Sequence, residues 1–138
     1  MRRFPSDDPY DGSADDAPIA KLWMGMIIDC LREGDERMHV VPPNGDYFIV
    51  RAYRDGSWRD VLQPPSKMYR AIMQRLKVMA SSTFSRKVEE GRFEIAYRDE
   101  VFEIKATVRT GPDGLQDAMI DLPELPPNKR LKLAARVH

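Results

Sequence analysis

The chain has 138 residues, 42% hydrophobic and 32% charged, which suits one domain with a real core and excludes the sparse apolar content of a disordered protein. Lys+Arg and Asp+Glu both number 22, so net charge gives no sign of a nucleic-acid or anionic-membrane binder. A single cysteine excludes an internal disulfide framework; the opening MRRFPSDD lacks a secretory signal's apolar stretch, no run reaches spanning length, and a cytoplasmic protein is the expectation.

Residues 1–16 carry Asp7, Asp8, Asp11, Asp15 and Asp16 among Pro5, Pro9 and Gly12, with little to bury, and read as a disordered acidic arm. Asp16 is placed to cap a helix, with Pro18 in its first turn. Ile19, Leu22, Trp23, Met26, Ile27, Cys30 and Leu31 then recur at helical spacing until Gly34. Met24 and Ile28 widen that stripe beyond one packing face. Either the helix is buried on two sides, or these two residues meet a partner.

Residues 38–42 read as a short strand stopped by Pro42-Pro43, with a turn at Asn44-Gly45. Residues 47–53 form a second strand with Phe48, Val50 and Ala52 on one face, and Asp55-Gly56 is a two-residue hairpin signal into a third, Trp58–Leu62. After Pro64-Pro65, a helix from Ser66 to about Ala80 places Met68, Ile72, Leu76 and Met79 inward; Lys67, Arg70, Gln74 and Lys77 line its outside. Alternation then puts Phe93, Ile95 and Tyr97 on one face of residues 92–98, and Phe102, Ile104, Ala106 and Val108 inward in 101–109. This pair has one wet face carrying Arg92, Arg98, Lys105 and Arg109. A last strand, Leu115–Leu122, follows Gly111-Pro112-Asp113-Gly114. The fold class is α+β: a mostly antiparallel sheet of about six strands with two main helices packed on one face. The organisation is an arm at 1–16, a domain at 17–122, and a Pro-rich then basic tail at 123–138.

The residues assemble into no catalytic centre. His39, His138 and Cys30 lack metal-ligand spacing, so no metal is expected, and no G-x-x-x-x-G-K-[ST] loop occurs. No enzyme activity and no cofactor are expected. From spacing alone, Arg92 and Lys105 among Glu94 and Glu103 read as cross-strand ion pairs on a wet sheet. The alternative is that arginine on a rigid strand grips a phosphate offered by another body.

Taken in order, these landmarks resemble the N-terminal domain adjacent to the motor in type II secretion and type IV pilus assembly ATPases. The segment APIAKLWMGMIIDCLREGDERMHVVP (17–42) is similar to that family's opening helix and Ser-Asp-Ile-His-Ile-Glu-Pro strand; His39 and Pro42 match, while Arg37 and Val41 replace Asp and Glu. Val50-Arg51 through Asp55-Gly56 resembles its Arg-x-Arg-x-Asp-Gly hairpin, with Tyr53 at the second Arg, and RAIMQRLKVMA (70–80) its Arg-Ile-Lys-x-Met-Ala helix. Arg86 through Arg92 resembles its Arg-x-Pro-Gln-Asp-Gly-Arg segment, with Val88-Glu89-Glu90 in place of Pro-Gln-Asp.

The resemblance implies a domain at a subunit boundary in a ring motor, without the ATPase domain itself. Basic residues on the late strands then contact, in trans, the nucleotide held by a motor; Arg92 matches the first and Lys105 stands where the second Arg is expected. Lysine keeps the charge and loses the bidentate fork. The function expected is a non-catalytic interaction or regulatory module docking on a partner or ring motor. Its partner is a protein of the secretion or pilus machinery, with self-association through Met24 and Ile28 open, no membrane insertion and nucleic acid disfavoured. Two other classes stay open. One is a small-ligand sensor with Trp23, Trp58 and Tyr97 lining a pocket; the other is a nucleic-acid-binding adaptor using Lys67, Arg70, Lys77 and the tail.

Overall fold

The computed structural model describes residues 2–5, 17–80, 88–97 and 100–124. Its elements are β1 (Arg2–Pro5), α1 (Ala17–Glu33), β2 (Arg37–Val41), β3 (Ile49–Arg54) and β4 (Ser57–Leu62), then α2 (Tyr69–Ala80) after a 3-10 turn at Ser66–Met68. They finish with β5 (Val88–Tyr97), β6 (Glu100–Thr110) and β7 (Gln116–Asp121).

Local chemistry accounts for the punctuation. The end of α1 is tied off by Asp35 N–H donating to the Cys30 carbonyl at 3.0 Å and Gly34 N–H to Leu31 at 3.2 Å, with Gly34 at φ +82°. That pair of bonds is a helix-closing motif whose left-handed residue favours glycine. The β3–β4 turn places Asp55 at φ +53° and Gly56 at φ +83°, the mirror-image two-residue turn that the Asp-Gly dipeptide serves. Asp16, the expected cap of α1, lies outside the described residues.

Among the described residues the sheet has seven strands in the order β1-β5-β6-β7-β2-β3-β4. Six of them are antiparallel to their neighbours, and β1 adds parallel to β5, with Arg2 level with Phe93 and Pro5 with Ala96. This corrects the reading of residues 1–16 as a disordered arm: Arg2–Pro5 is an edge strand, and residues 6–16 lie outside the described ones. Four residues with one aromatic show no alternation to read. What holds them is the free backbone edge of β5, more than eighty residues away in sequence.

Both helices cover one face. Met38, Val40, Val50, Ala52, Phe93, Ile95, Phe102, Ile104, Ala106, Val108, Ala118 and Ile120 are buried beneath them. The registers Met38↔Ile120↔Ala106 and Phe93↔Ile104 keep that set on a single side of the pleat. From the helices come Trp23, Met26, Ile27, Leu31, Ile72, Leu76 and Met79, all buried, and the Trp23 indole N–H donates to the Ile72 carbonyl at 3.0 Å. That bond satisfies the polar end of a fully buried ring and locks the two helices together. Gly91 permits the closest helix–sheet approach: a Cβ there would lie 2.2 Å from the Ala80 carbonyl oxygen, so the last turn of α2 rests directly on β5.

Met24 and Ile28 are buried within the core, at 6% and 4% exposure. The broad apolar stripe of α1 is therefore buried across its width, and the same helix meets α2 at Trp23. This corrects the expectation of a partner interface at these two residues, because neither reaches the surface.

Candidate functional site

The opposite face of the sheet has no helix over it among the described residues, and its register brings distant residues into rows. One row runs Arg92↔Lys105↔Asp121↔Arg37↔Tyr53↔Trp58 across β5, β6, β7, β2, β3 and β4. The next runs Glu90↔Thr107↔Met119↔His39↔Arg51↔Asp60. At about 4.8 Å per strand step, each row is a flat bar about 24 Å wide.

The two sequence-predicted site residues are direct neighbours, Arg92 opposite Lys105. Each is tied diagonally to a carboxylate of the other strand. Arg92 Nη1 donates to Glu103 Oε1 at 2.8 Å, and Lys105 Nζ lies 3.5 Å from Glu90 Oε1. All four side chains are well exposed, so these are the weak cross-strand pairs that spacing suggested. They also relieve the like-charge pair Glu94↔Glu103. Further along, Arg37 Nε stands 3.7 Å from Asp121 Oδ1.

At the far end, spacing had not singled out a second group. His39 Nε2 lies 2.8 Å from Asp117 Oδ2, and its ring centroid is 6.0 Å from that of Trp58. Trp58 is also flanked by Tyr53 at 5.2 Å, with the Arg51 guanidinium 5.3 Å over its ring. The strands are separate runs in sequence and only pairing collects these side chains. Period-two parity could have placed His39, Arg51 and Tyr53 on the wet face. The Asp55-Gly56 turn also sets Trp58 opposite Tyr53, because the bulge between Val50 and Arg51 comes only after Arg51↔Asp60. What parity could not supply is the pairing of β2 with β3 and β7 that brings His39 to Arg51, Trp58 and Asp117.

A second polar cluster lies on the helix side. Asp35, with its side chain wholly buried, is gripped bidentately by Arg59: Nη2 donates to Oδ2 at 2.8 Å and Nη1 to Oδ1. Burial first, and then the Asp35 carboxylate, push the Cys30 thiol up to about 12. The bond to Asp35 also holds the Arg59 guanidinium further above its ordinary value. A thiol so protected is inert, and this cluster is structural. The Tyr69 hydroxyl, which donates to the Gln116 carbonyl, is likewise raised to about 12 by burial and then by Asp117.

Among the described residues no group of three or more His, Cys, Asp or Glu is arranged to hold a metal ion, and His39 has Asp117 as its hydrogen-bond partner, with no nucleophile attached. The residues offered as a sensor pocket do not converge. Trp23 is fully buried beneath the helices and Tyr97 faces the core from β5, whereas Trp58 lies on the open face at the other edge. Lys67 is exposed in the 3-10 turn, Arg70 is exposed on the second helix and Lys77 is half-buried there; the basic tail lies outside the described residues. Among the described residues no helix is long and apolar enough to cross a membrane.

A family model described as "Type II/IV secretion system protein" matches residues 12–111, a segment that carries both Arg92 and Lys105. The chain belongs to that family. It is 40% identical over 90 residues to the type IV pilus assembly ATPase PilB of Myxococcus xanthus, covering 64% of this chain and 16% of that protein. It is 36% identical over 92 residues to the PilB of Pseudomonas aeruginosa, covering 65% and 16%. With the type II secretion system ATPase E of Vibrio cholerae it shares 28% identity over 113 residues, covering 80% and 22%. The chain thus spans about a fifth or less of the length of these curated relatives.

Proposed function

We infer that the chain is a non-catalytic docking module of the secretion and pilus machinery, presenting the open face of its sheet to a motor-bearing partner. The observation that carries this reading is the register Arg92↔Lys105 on a face that no helix covers among the described residues, inside the segment matched to the family. The docking unit is residues 17–122 together with the edge strand β1, and it works on the cytoplasmic side.

The chemistry follows from what those cations already do. Each is held by one exposed carboxylate, a contact worth about 0.2–1 kcal/mol, so an incoming phosphate takes over the cation at small cost. Arg92 offers a planar fork and Lys105 a point charge, about one strand spacing apart. The sequence carries no phosphate loop, so the nucleotide, its metal and the exclusion of water belong to the partner's motor domain. A partner that covers the face strengthens both contacts by removing water from around them.

The test is a nuclear magnetic resonance titration of the chain with a pilus assembly ATPase motor, with and without a non-hydrolysable nucleotide. The expected result is a nucleotide-dependent perturbation at Arg92, Phe93 and Lys105, abolished by Arg92→Ala. Mg-ATP with the chain alone should give neither turnover nor saturable micromolar binding. Turnover by the pure chain, or a motor complex indifferent to Arg92→Ala, would overturn the reading.

A further inference from the structure

We propose that this chain associates head-to-tail with a second copy of itself, the basic groove beside α2 in one copy receiving the acidic end of the next. The proposal is independent of the docking reading, since it uses the two ends of the strands and leaves the open face uncovered.

The groove lies between α2 and the β6–β7 turn, with a volume of about 500 Å³. Arg70 and Lys77 form its rim, Met73 and the Tyr69 ring its floor, and Leu115, 46% exposed, its lip. Among the described residues no carboxylate lines it. An apolar floor beneath a cationic rim fits an acidic segment that carries apolar groups.

The same chain offers such a surface at its other end. A cleft of about 410 Å³ lies where β7 runs out beside the end of α1, edged by Glu36, Asp55, Pro123 and Glu124. Among the described residues no cation lines it, and the Asp35 carboxylate at its base is already neutralised by Arg59. The groove sits at the Gln116 end of β7 and the cleft just past its Asp121 end, so the six-residue strand sets them about 20 Å apart and facing opposite ways. A surface that is basic at one end and acidic at the other is not self-complementary about a two-fold axis. It matches itself by translation, which is a heterologous contact. Zero net charge leaves no long-range repulsion against this alignment.

Light scattering on the full chain from about 10 μM to about 1 mM reads this directly. The expected result is an apparent mass that climbs with concentration at low salt and falls back at about 0.5 M salt, where charges are screened within a few ångströms. Arg70→Glu and Glu124→Lys both change exposed residues, and circular dichroism checks that each variant folds. Each variant alone should remain monomeric. Their equimolar mixture should associate again, because the intact acidic end of R70E fits the intact groove of E124K and the two reversed charges complement each other. A wild-type chain that stays monomeric throughout, or a dimer unaffected by either substitution, overturns the proposal. So does association unchanged by R70E but altered by neutralising Lys129 and Arg130, which would give the acidic end to the chain's own basic segment.

Discussion

A methyl group added at Gly91 tests the packing between helix and sheet more sharply than any truncation. In Gly91→Ala the new Cβ would lie 2.2 Å from the Ala80 carbonyl oxygen and 2.8 Å from the Ala80 Cβ. Ordinary contact distances for such atoms are about 3.5–4.0 Å, so the overlap with the oxygen exceeds an ångström. The obstacle is largely backbone, which cannot swing aside as a long side chain would. Either the end of α2 lifts from β5, loosening Met79 and Leu76 in the core, or its last turn frays. Overpacking costs about 1–3 kcal/mol and belongs at the upper end here. A frayed hydrogen bond adds about 1 kcal/mol, and the relief of replacing a strand glycine returns about 0.5–1 kcal/mol. The net expectation is a loss of about 3 kcal/mol, with a fall in melting temperature of about 10 °C. Urea unfolding followed by the fluorescence of Trp23, which is fully buried, measures it. Gly25 provides the matched control: it lies inside α1 with nothing within 4 Å of a built Cβ. There the same methyl should stabilise by about 0.5–1 kcal/mol through helix propensity. If G91A lies within about 0.5 kcal/mol of wild type, the close approach is not real and the reasoning fails.

Truncating the buried Ile27 to Ala should cost about 2–5 kcal/mol in the same assay, whereas Arg92→Ala on the exposed face should change stability by less than about 0.5 kcal/mol. Cys30, with its thiol pushed up to about 12, should resist a thiol-disulfide reagent at pH 8 in the native chain and react promptly in denaturant; prompt native labelling would contradict its burial. Stability should also decline in alkali. Cys30 and Tyr69 both keep their protons in the folded state while the unfolded chain releases them from about pH 9 and 10, so the urea midpoint should fall as pH rises from 9 toward 12. A midpoint that is flat over that interval would show that neither group is held as described.

Much of the architecture was readable along the chain because the forces behind it are local. The 3.6-residue recurrence of Ile19 to Leu31, the alternation of Phe102 to Val108 and the Asp55-Gly56 turn each reflect one element's own geometry against one apolar face. Parity alone placed Arg92 and Lys105 on the wet side. The order of motifs resembled the secretion and pilus ATPases, and the match of residues 12–111 to that family agrees.

Other features depend on which residues meet across the chain. Met24 and Ile28 looked like surplus apolar surface because a sequence shows one helix stripe and not every neighbour around it; in the fold both lie within the core. β1 is short and unpatterned, and it becomes a strand only beside the edge of β5. Asp35 became a buried anchor once the hairpin carried Arg59 back to it, across 24 residues. Rows such as Arg92↔Lys105↔Asp121↔Arg37 draw on four strands, and their register is set by the shared burial of the other face. Periodicity gives each side chain its direction at short range, but which charges stand together is decided only when the core closes beneath them, because a one-residue slip of any strand would turn its charges inward.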